Sequence, residues 1–390
     1  RRSCVKMKNC IVCGSRFGQF YLEALKCIPN VNIIGILANG SERSIACANY
    51  YNVNLYKSVE ELPENIDFAC VAIKSEVQGG QGNLIAERML EKGIDVIFEQ
   101  PISEKEYAFL FSLDNKEQRY FAICNLYSHL PSVKNLIENY RMIKKEQKVK
   151  YINIDFATQL SFPVAQILSK LLPESVNAHF TMLEQNAGPY QFATAIIKGI
   201  QLNLNAHNIV VEQEKERFMK ILFSIKIGFE GGELNLVDPH GFAYWRPFIY
   251  FPDRYNIPSS LYDKPPTGMT YQYILSTYDE PEFTQQSIFT ELWPRIIAEE
   301  INIYLEINQS DLHHFNTIAQ SQINTALIWK KIMQSFGYPL LVAIDCYKVF
   351  DVKHLVQHHS KNENTIDCMT RLENVCAQSM LYVLCRHLDR

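Results

Sequence analysis

Along the first third of this chain, short apolar runs alternate with stretches of helical periodicity. Asn9–Cys13, Val31–Leu37, Phe68–Ile73, Asp95–Phe98 and Tyr120–Cys124 are apolar runs of strand length. Between them, Gln19–Cys27, Ser41–Tyr51 and Asn83–Lys92 carry the helical spacing. Strands apolar on both faces and separated by helices predict a parallel sheet covered on both sides, the α/β class. The expectation is a Rossmann domain, doubly wound and of the dinucleotide-binding kind, over residues 9–124.

Past Tyr127 the pattern changes. Tyr151–Phe156, Ile209–Glu212, Met219–Phe229 and Glu233–Val237 alternate in part, as strands do when one sheet face meets solvent. Gly231-Gly232 between the last two predicts an antiparallel pair. An α+β domain with a mostly antiparallel open sheet is expected over 125–344. Prolines 247, 252, 258, 265, 266 and 281 predict irregular loop from Arg246 to Pro281, and Ser287–Leu305 and Asp311–Phe336 predict two long helices. Residues 1–8 read as a basic tail, Arg141–Lys150 as a solvated helix face, and 345–390 as a separate extension whose amphipathic run Leu372–Leu388 suits packing or a partner.

At 390 residues the chain exceeds one comfortable hydrophobic core, in keeping with two domains. A net charge of −4 offers no attraction to nucleic acid or anionic membrane. No apolar run approaches the ~20 residues that span a bilayer, and Arg1–Lys8 lacks the features of a signal peptide. A cytoplasmic protein is expected. Of eleven cysteines, seven lie at or before Cys124 and four at or after Cys346. That gap does not suit a disulfide framework, and Cys10-Ile11-Val12-Cys13 on a strand turns its thiols to opposite faces. Reduced, mostly buried thiols are expected. The pairs His313-His314 and His358-His359, and the set Cys368, Cys376, Cys385 and His387, lack metal-ligand spacing, so no metal is expected.

Candidate chemistry gathers at the carboxyl ends of the predicted parallel strands, where such sheets form their ligand crevice. Gly14-Ser15-Arg16-Phe17-Gly18 joins a strand to a helix, so its backbone amides suit a pyrophosphate, although G-x-x-x-G is only part of the usual fingerprint. The second strand ends Asn39-Gly40-Ser41-Glu42-Arg43-Ser44, without the acid that would accept from ribose hydroxyls. Ser41, Arg43 and Ser44 suit a 2′-phosphate instead, which favours NADPH, while Ser41 equally suits a helix N-cap. The third strand runs through Ala72 to Lys74-Ser75 and a loop with Gly79, Gly80 and Gly82. The next ends Glu99-Gln100-Pro101, whose proline permits a cis bond, and the last leads to Asn125-Leu126-Tyr127-Ser128-His129. His240 and Trp245, in an aromatic-rich stretch, suit either a substrate pocket or the core.

These strings resemble the Gfo/Idh/MocA oxidoreductase family, and within it the thiazolinyl imine reductases of siderophore biosynthesis. The resemblance rests on Val12-Cys13-Gly14 with Phe17-Gly18 and Tyr21-Leu22, on Gly35–Ala38 with Gly40-Ser41 and Arg43-Ser44, and on Val71–Gly82. It continues through Asn125, Tyr127, Leu130-Pro131 and Val133, then Gly231–Leu234 with Asp238, His240-Gly241, Trp245 and Pro247. Leu292-Trp293-Pro294 and Phe336–Pro339 complete it, so that it spans about 9–344. It implies NADPH-dependent reduction of a thiazoline C=N to a thiazolidine, on a substrate held as a thioester by a peptide-synthetase carrier domain, presented near loop 247–266. In this family the middle position of E-x-P is usually His, an acid candidate together with the Tyr that matches Tyr127. Here it is Gln100, which leaves Tyr127, a water held by Tyr127 and Gln100, or His129 as the proton source. The sugar dehydrogenases of the family usually carry Lys there, so Gln100 also speaks against alcohol oxidation. A reductase of another imine or carbonyl and a non-catalytic NADP-sensing regulator are the alternatives. An open sheet face suits a homodimer.

Overall fold

The computed structural model describes residues 7–117, 120–183, 188–211, 219–249, 272–279, 283–306 and 312–343. Residues 1–342 form one compact unit; the second unit, 343–390, lies but for Ala343 outside the described residues.

The first sheet is built from β1 (Lys8–Cys13), β2 (Val31–Leu37), β3 (Asn54–Tyr56), β4 (Phe68–Val71), β5 (Asp95–Glu99) and β6 (Phe121–Cys124). Every pair in it is parallel, in the order β3-β2-β1-β4-β5-β6. The order reverses between β1 and β4, which places a ligand crevice at their carboxyl ends. Helices α1 (Gly18–Lys26), α2 (Glu42–Tyr51), α3 (Gly82–Glu91) and α4 (Glu104–Glu117) supply the crossovers. Strands β4 and β6 are buried throughout, as their unbroken apolar sequences require. Cys10, Cys13, Cys70 and Cys124 are free, buried thiols, with the Cys10 and Cys70 sulfurs 4.0 Å apart.

Two short helices follow, α5 (Leu126–His129) and α6 (Pro131–Ile143), and lead into β7 (Val149–Ala157). The basic stretch 141–150 therefore spans a helix end, a turn and a strand start rather than one helix face. Helix α7 (Ser161–Leu171) and β8 (Thr181–Met182) precede the hairpin β9 (Tyr190–Ile197) and β10 (Ile200–His207). After β11 (Ile209–Val211) come β12 (Phe223–Phe229), β13 (Gly232–Leu236), β14 (Ala243–Pro247) and β15 (Leu275–Tyr278). The second sheet has the order β15-β14-β13-β12-β7-β10-β9-β8, with β7 and β10 parallel and the other neighbours antiparallel where their register is given. The pair expected around Gly231-Gly232 is β12 and β13. The run expected to start at Ile209 stands outside this sheet, because β11 pairs with β16 (Leu340–Val342).

A π-helical turn, Ile288–Leu292, opens the first of the two long helices, so that α8 proper is Trp293–Glu306; α9 is Leu312–Phe336. Strand β6 is an edge of its sheet, and α9 covers it. The Gln322 side-chain amide pairs with Ile123 as a neighbouring strand would, accepting from its N–H at 3.2 Å and donating to its carbonyl at 3.1 Å. None of the described helices is long and apolar enough to cross a membrane.

Candidate functional site

The crevice is built first from backbone. Gly14 leaves β1 with φ +102°, and a Cβ there would stand 2.8 Å from the Ala72 carbonyl, so any other residue would be strained and crowded. The Ala72 amide donates to the Cys13 carbonyl at 2.8 Å and the Gly14 amide to that of Leu37 at 2.9 Å, locking the first turn between β2 and β4. Phe17 is the N-cap of α1 and contributes no side-chain acceptor, and no acid lies in the helix's first turn. Its leading amides are thus left for an anion at the positive end of the helix, and Ser15 and exposed Arg16 lie in the same turn. This donor set fits a dinucleotide pyrophosphate.

The glycines of the third loop have a different cause. A Cβ on Gly80 would fall 2.1 Å from the Lys74 carbonyl, and one on Gly82 2.2 Å from that of Ile73. These two are small so that the loop folds on itself; Gly79 takes φ +76° with open space around it. Ser75 is fully buried, and its hydroxyl donates to the Pro101 carbonyl at 2.9 Å, tying this loop to the end of β5. Lys74 is exposed at the loop's start.

At the second loop, Ser41 caps α2. Its hydroxyl accepts from the Ser44 amide at 3.4 Å and faces the Ser44 hydroxyl at 3.3 Å, while Ser44, fully buried, donates to the Ser41 carbonyl at 2.8 Å. Both serines are thereby engaged in the helix start, and Ser44 has no surface to offer a phosphate. Asn39 accepts from the Ser41 amide at 3.2 Å. Arg43 reaches back to the first turn, its Nε donating to the Ser15 carbonyl at 3.4 Å.

Glu99 ends β5 beneath the crevice and accepts from the Tyr21 hydroxyl at 2.5 Å. Burial pushes its carboxyl up to about 8, against the pull of that hydrogen bond, so the acid is mostly protonated at neutral pH. The Gln100–Pro101 bond is cis, and the buried Gln100 Oε1 has no hydrogen-bond partner among the described residues. An acceptor so placed suits an N–H or O–H brought by a ligand.

Tyr127 is 6% exposed on α5, and burial, aided by Glu99 and Asp238, pushes its hydroxyl well above the usual phenol range. Its ring lies 5.9 Å from Trp293, 6.0 Å from Phe223 and 6.4 Å from His240. Trp293 in turn lies 6.0 Å from Phe17, 5.3 Å from Phe20 and 4.9 Å from Phe289. One aromatic cluster thus joins the first cofactor turn to the start of α8 and to Tyr127. His240 is held inside it: its Nε2 accepts from the Trp293 indole N–H at 3.0 Å, and its Nδ1 faces Asp238 at 3.5 Å.

Two expected residues sit elsewhere. His129 pairs through Nδ1 with the buried carboxylate of Glu300 on α8. Burial and the charges of Lys170 and Lys134 push its imidazole down to about 3, which does not suit proton donation near neutral pH. Glu300 also accepts from Asn125 at 2.9 Å and from Tyr304 at 2.7 Å, so this network anchors α5 rather than lining the crevice. Trp245 packs on Phe229 at 5.9 Å and against Gly232, and Trp293 is the indole beside Tyr127. Loop positions 250–266 and the terminal Cys and His residues lie outside the described residues.

A comparison with curated protein sequences finds no match. Structural relatives share the fold over nearly their whole length. A 3-ketoreductase from Actinomadura kijaniata, solved with NADP and TDP-benzene, is 10% identical with a TM-score of 0.58, over 86% of this chain and 99% of its own. Biliverdin reductase from Synechocystis sp. PCC 6803, solved with biliverdin and NADP+, is 13% identical with a TM-score of 0.55, over 85% and 99%. GenD2 from gentamicin A biosynthesis, solved with NAD, is 11% identical with a TM-score of 0.56, over 86% and 96%. Residues 8–123 match the Gfo/Idh/MocA family, described as an oxidoreductase family with an NAD-binding Rossmann fold. Residues 8–123, which carry the first sheet and its glycine turn, are thus similar to the NAD-binding Rossmann domain of that oxidoreductase family, and an open, mostly antiparallel sheet follows them.

Proposed function

We propose that the chain uses NADPH to reduce a thiazoline C=N to a thiazolidine, on an intermediate that a peptide-synthetase carrier domain delivers during siderophore assembly. The observation that supports this most is the pair of polar groups at the crevice. Tyr127 is a phenol that stays protonated, and Gln100 is an amide where alcohol-oxidising relatives usually place Lys. Neither of these two groups is a base suited to removing an alcohol proton, whereas reducing an imine needs only a proton for nitrogen.

The bound cofactor supplies a hydride. The chain's residues do the rest: the Gly14–Gly18 turn and the amides of α1 hold the pyrophosphate, and the aromatic wall of Phe17, Trp293 and Tyr127 excludes water. Tyr127 gives its proton toward the ring nitrogen, and Gln100 Oε1 accepts the resulting N–H. His240, with Nε2 occupied by the Trp293 indole N–H, forms part of the wall. We also propose that a second copy docks on the open face of the second sheet. There Asn203 donates to Asn153 at 2.7 Å and Asn205 to Asp155 at 2.6 Å beside Ile196, which is 77% exposed. Ile196→Asp should shift the mass seen by light scattering to that of a monomer.

The deciding experiment offers the protein NADPH with a hydroxyphenyl-thiazoline, as the carrier thioester and as the free acid, and follows cofactor absorbance and thiazolidine formation. One thiazolidine per NADPH, with kcat/KM higher for the thioester, is the expected result. Turnover of other imines or of ketones alone would make it a different reductase of the family. Tight NADPH binding without turnover of any of these would make it a sensor.

A further inference from the structure

We propose that Lys57 is a specificity residue for the cofactor, closing a 2′-phosphate pocket together with Arg43; this deepens the NADPH reading and rests on it. The pocket lies where β2 ends. Strand β3 pairs with β2 so that Tyr56 stands opposite Leu37, and the Ala38 amide donates to the Tyr56 carbonyl at 3.0 Å. Lys57 therefore leaves its strand level with the Asn39–Ser41 loop. Its side chain lies along the bare face of Gly40: a Cβ on that glycine would stand 3.0 Å from Lys57 Cε and 3.7 Å from Nζ. Gly40 has φ +77°, so the same residue turns the chain and leaves room for the lysine.

The backbone amide of Lys57 donates to Glu61 at 2.7 Å, which fixes where the side chain starts, and the exposed ammonium has no ion-pair partner among the described residues. Arg43, in the first turn of α2 that this loop opens, is anchored through Nε on the Ser15 carbonyl. Two cations thus lie near the end of β2, at a loop whose serine hydroxyls are already engaged in capping α2. The nearby carboxylates, Glu42 in the first turn of α2 and Glu61, would repel an anion unless both cations offset them. A ribose 2′-phosphate, a dianion, fits that arrangement; a 2′-hydroxyl gains little from it.

Titration by calorimetry of the wild type, Lys57→Ala and Lys57→Arg with NADPH, NADH and 2′,5′-ADP tests this without turnover. Lys57→Ala should weaken NADPH and 2′,5′-ADP by roughly ten- to a hundredfold, flatten the salt dependence of both, and leave NADH within about twofold. Lys57→Arg should keep most of the affinity. Equal losses for NADH and NADPH, or no loss, would overturn the assignment while leaving the NADPH reading intact. A wild type that favours NADH would overturn that reading itself. Because Lys57 is exposed, its removal leaves the core untouched, and unchanged circular dichroism confirms it.

Discussion

The indole N–H of Trp293 donates to Nε2 of His240 at 3.0 Å, joining the first residue of α8 to the turn after β13. Both side chains are largely buried, so the bond sets which imidazole nitrogen carries the proton: Nε2 accepts, and Nδ1–H faces Asp238. Trp293→Phe keeps an aromatic ring but orphans the acceptor. It should lower stability by about 1–3 kcal/mol in urea denaturation. Nitrogen NMR of the His240 ring should then show a mixture of tautomers in place of one.

Gln322 offers a cleaner stability test. It satisfies both backbone groups of Ile123 on the edge of β6 and accepts from the Tyr107 hydroxyl at 3.1 Å. Gln322→Leu fills the space but leaves the groups that Gln322 served unpaired, at a cost of about 2–4 kcal/mol. Since Ile123 leads directly to Asn125 and Tyr127, hydrogen exchange should rise first at the end of β6.

The first turn, the end of β5 and the start of α5 were legible because each is local: a strand, a glycine or proline, then a helix. The hairpin of β9 and β10 was not, although Lys198 and Gly199 both have positive φ at its tip, as a tight two-residue turn requires. Its strands carry Gln, Asn and Thr on the open face, and such polar alternation reads as loop. Helix α7 was missed for the opposite reason: it is buried on nearly every side, so it shows no polar stripe. Within the site, Leu292-Trp293-Pro294 shows no role in the sequence alone, because the partner of Trp293, His240, is 53 residues away. Lys57 carried no signal at all, since only the pairing of β2 with β3 brings it to Gly40.

The buried imidazole of His129, close to Lys170 and Lys134, predicts a pH dependence. Folded His129 stays neutral down to about 3, whereas an unfolded histidine takes its proton near 6.5. Between those values unfolding takes up a proton, so stability falls as pH falls through that window. His129→Asn retains a donor for Glu300 and removes the titration. Its melting temperature should fall less steeply than that of the wild type between pH 6.5 and pH 3. The difference in stability should grow to on the order of 4 kcal/mol at the acid end.

Tyr127 and Gln100 decide where the proton comes from. The hydroxyl is held well above the phenol range, so it is protonated at every working pH and is also a weak acid. Tyr127→Phe should lower kcat by ~10²–10⁴-fold, the usual loss for a positioned general acid, and leave NADPH affinity unchanged by fluorescence titration. A loss of only a few-fold would mean that water donates and Tyr127 merely packs on Trp293. Gln100→His in the Tyr127→Phe background places an imidazole at the end of β5, next to Glu99. If the missing proton is the cause of the defect, that double mutant regains part of the rate and acquires a pH profile that falls as the new histidine loses its charge, near 6.5 when unperturbed. If packing is the cause, the histidine restores nothing.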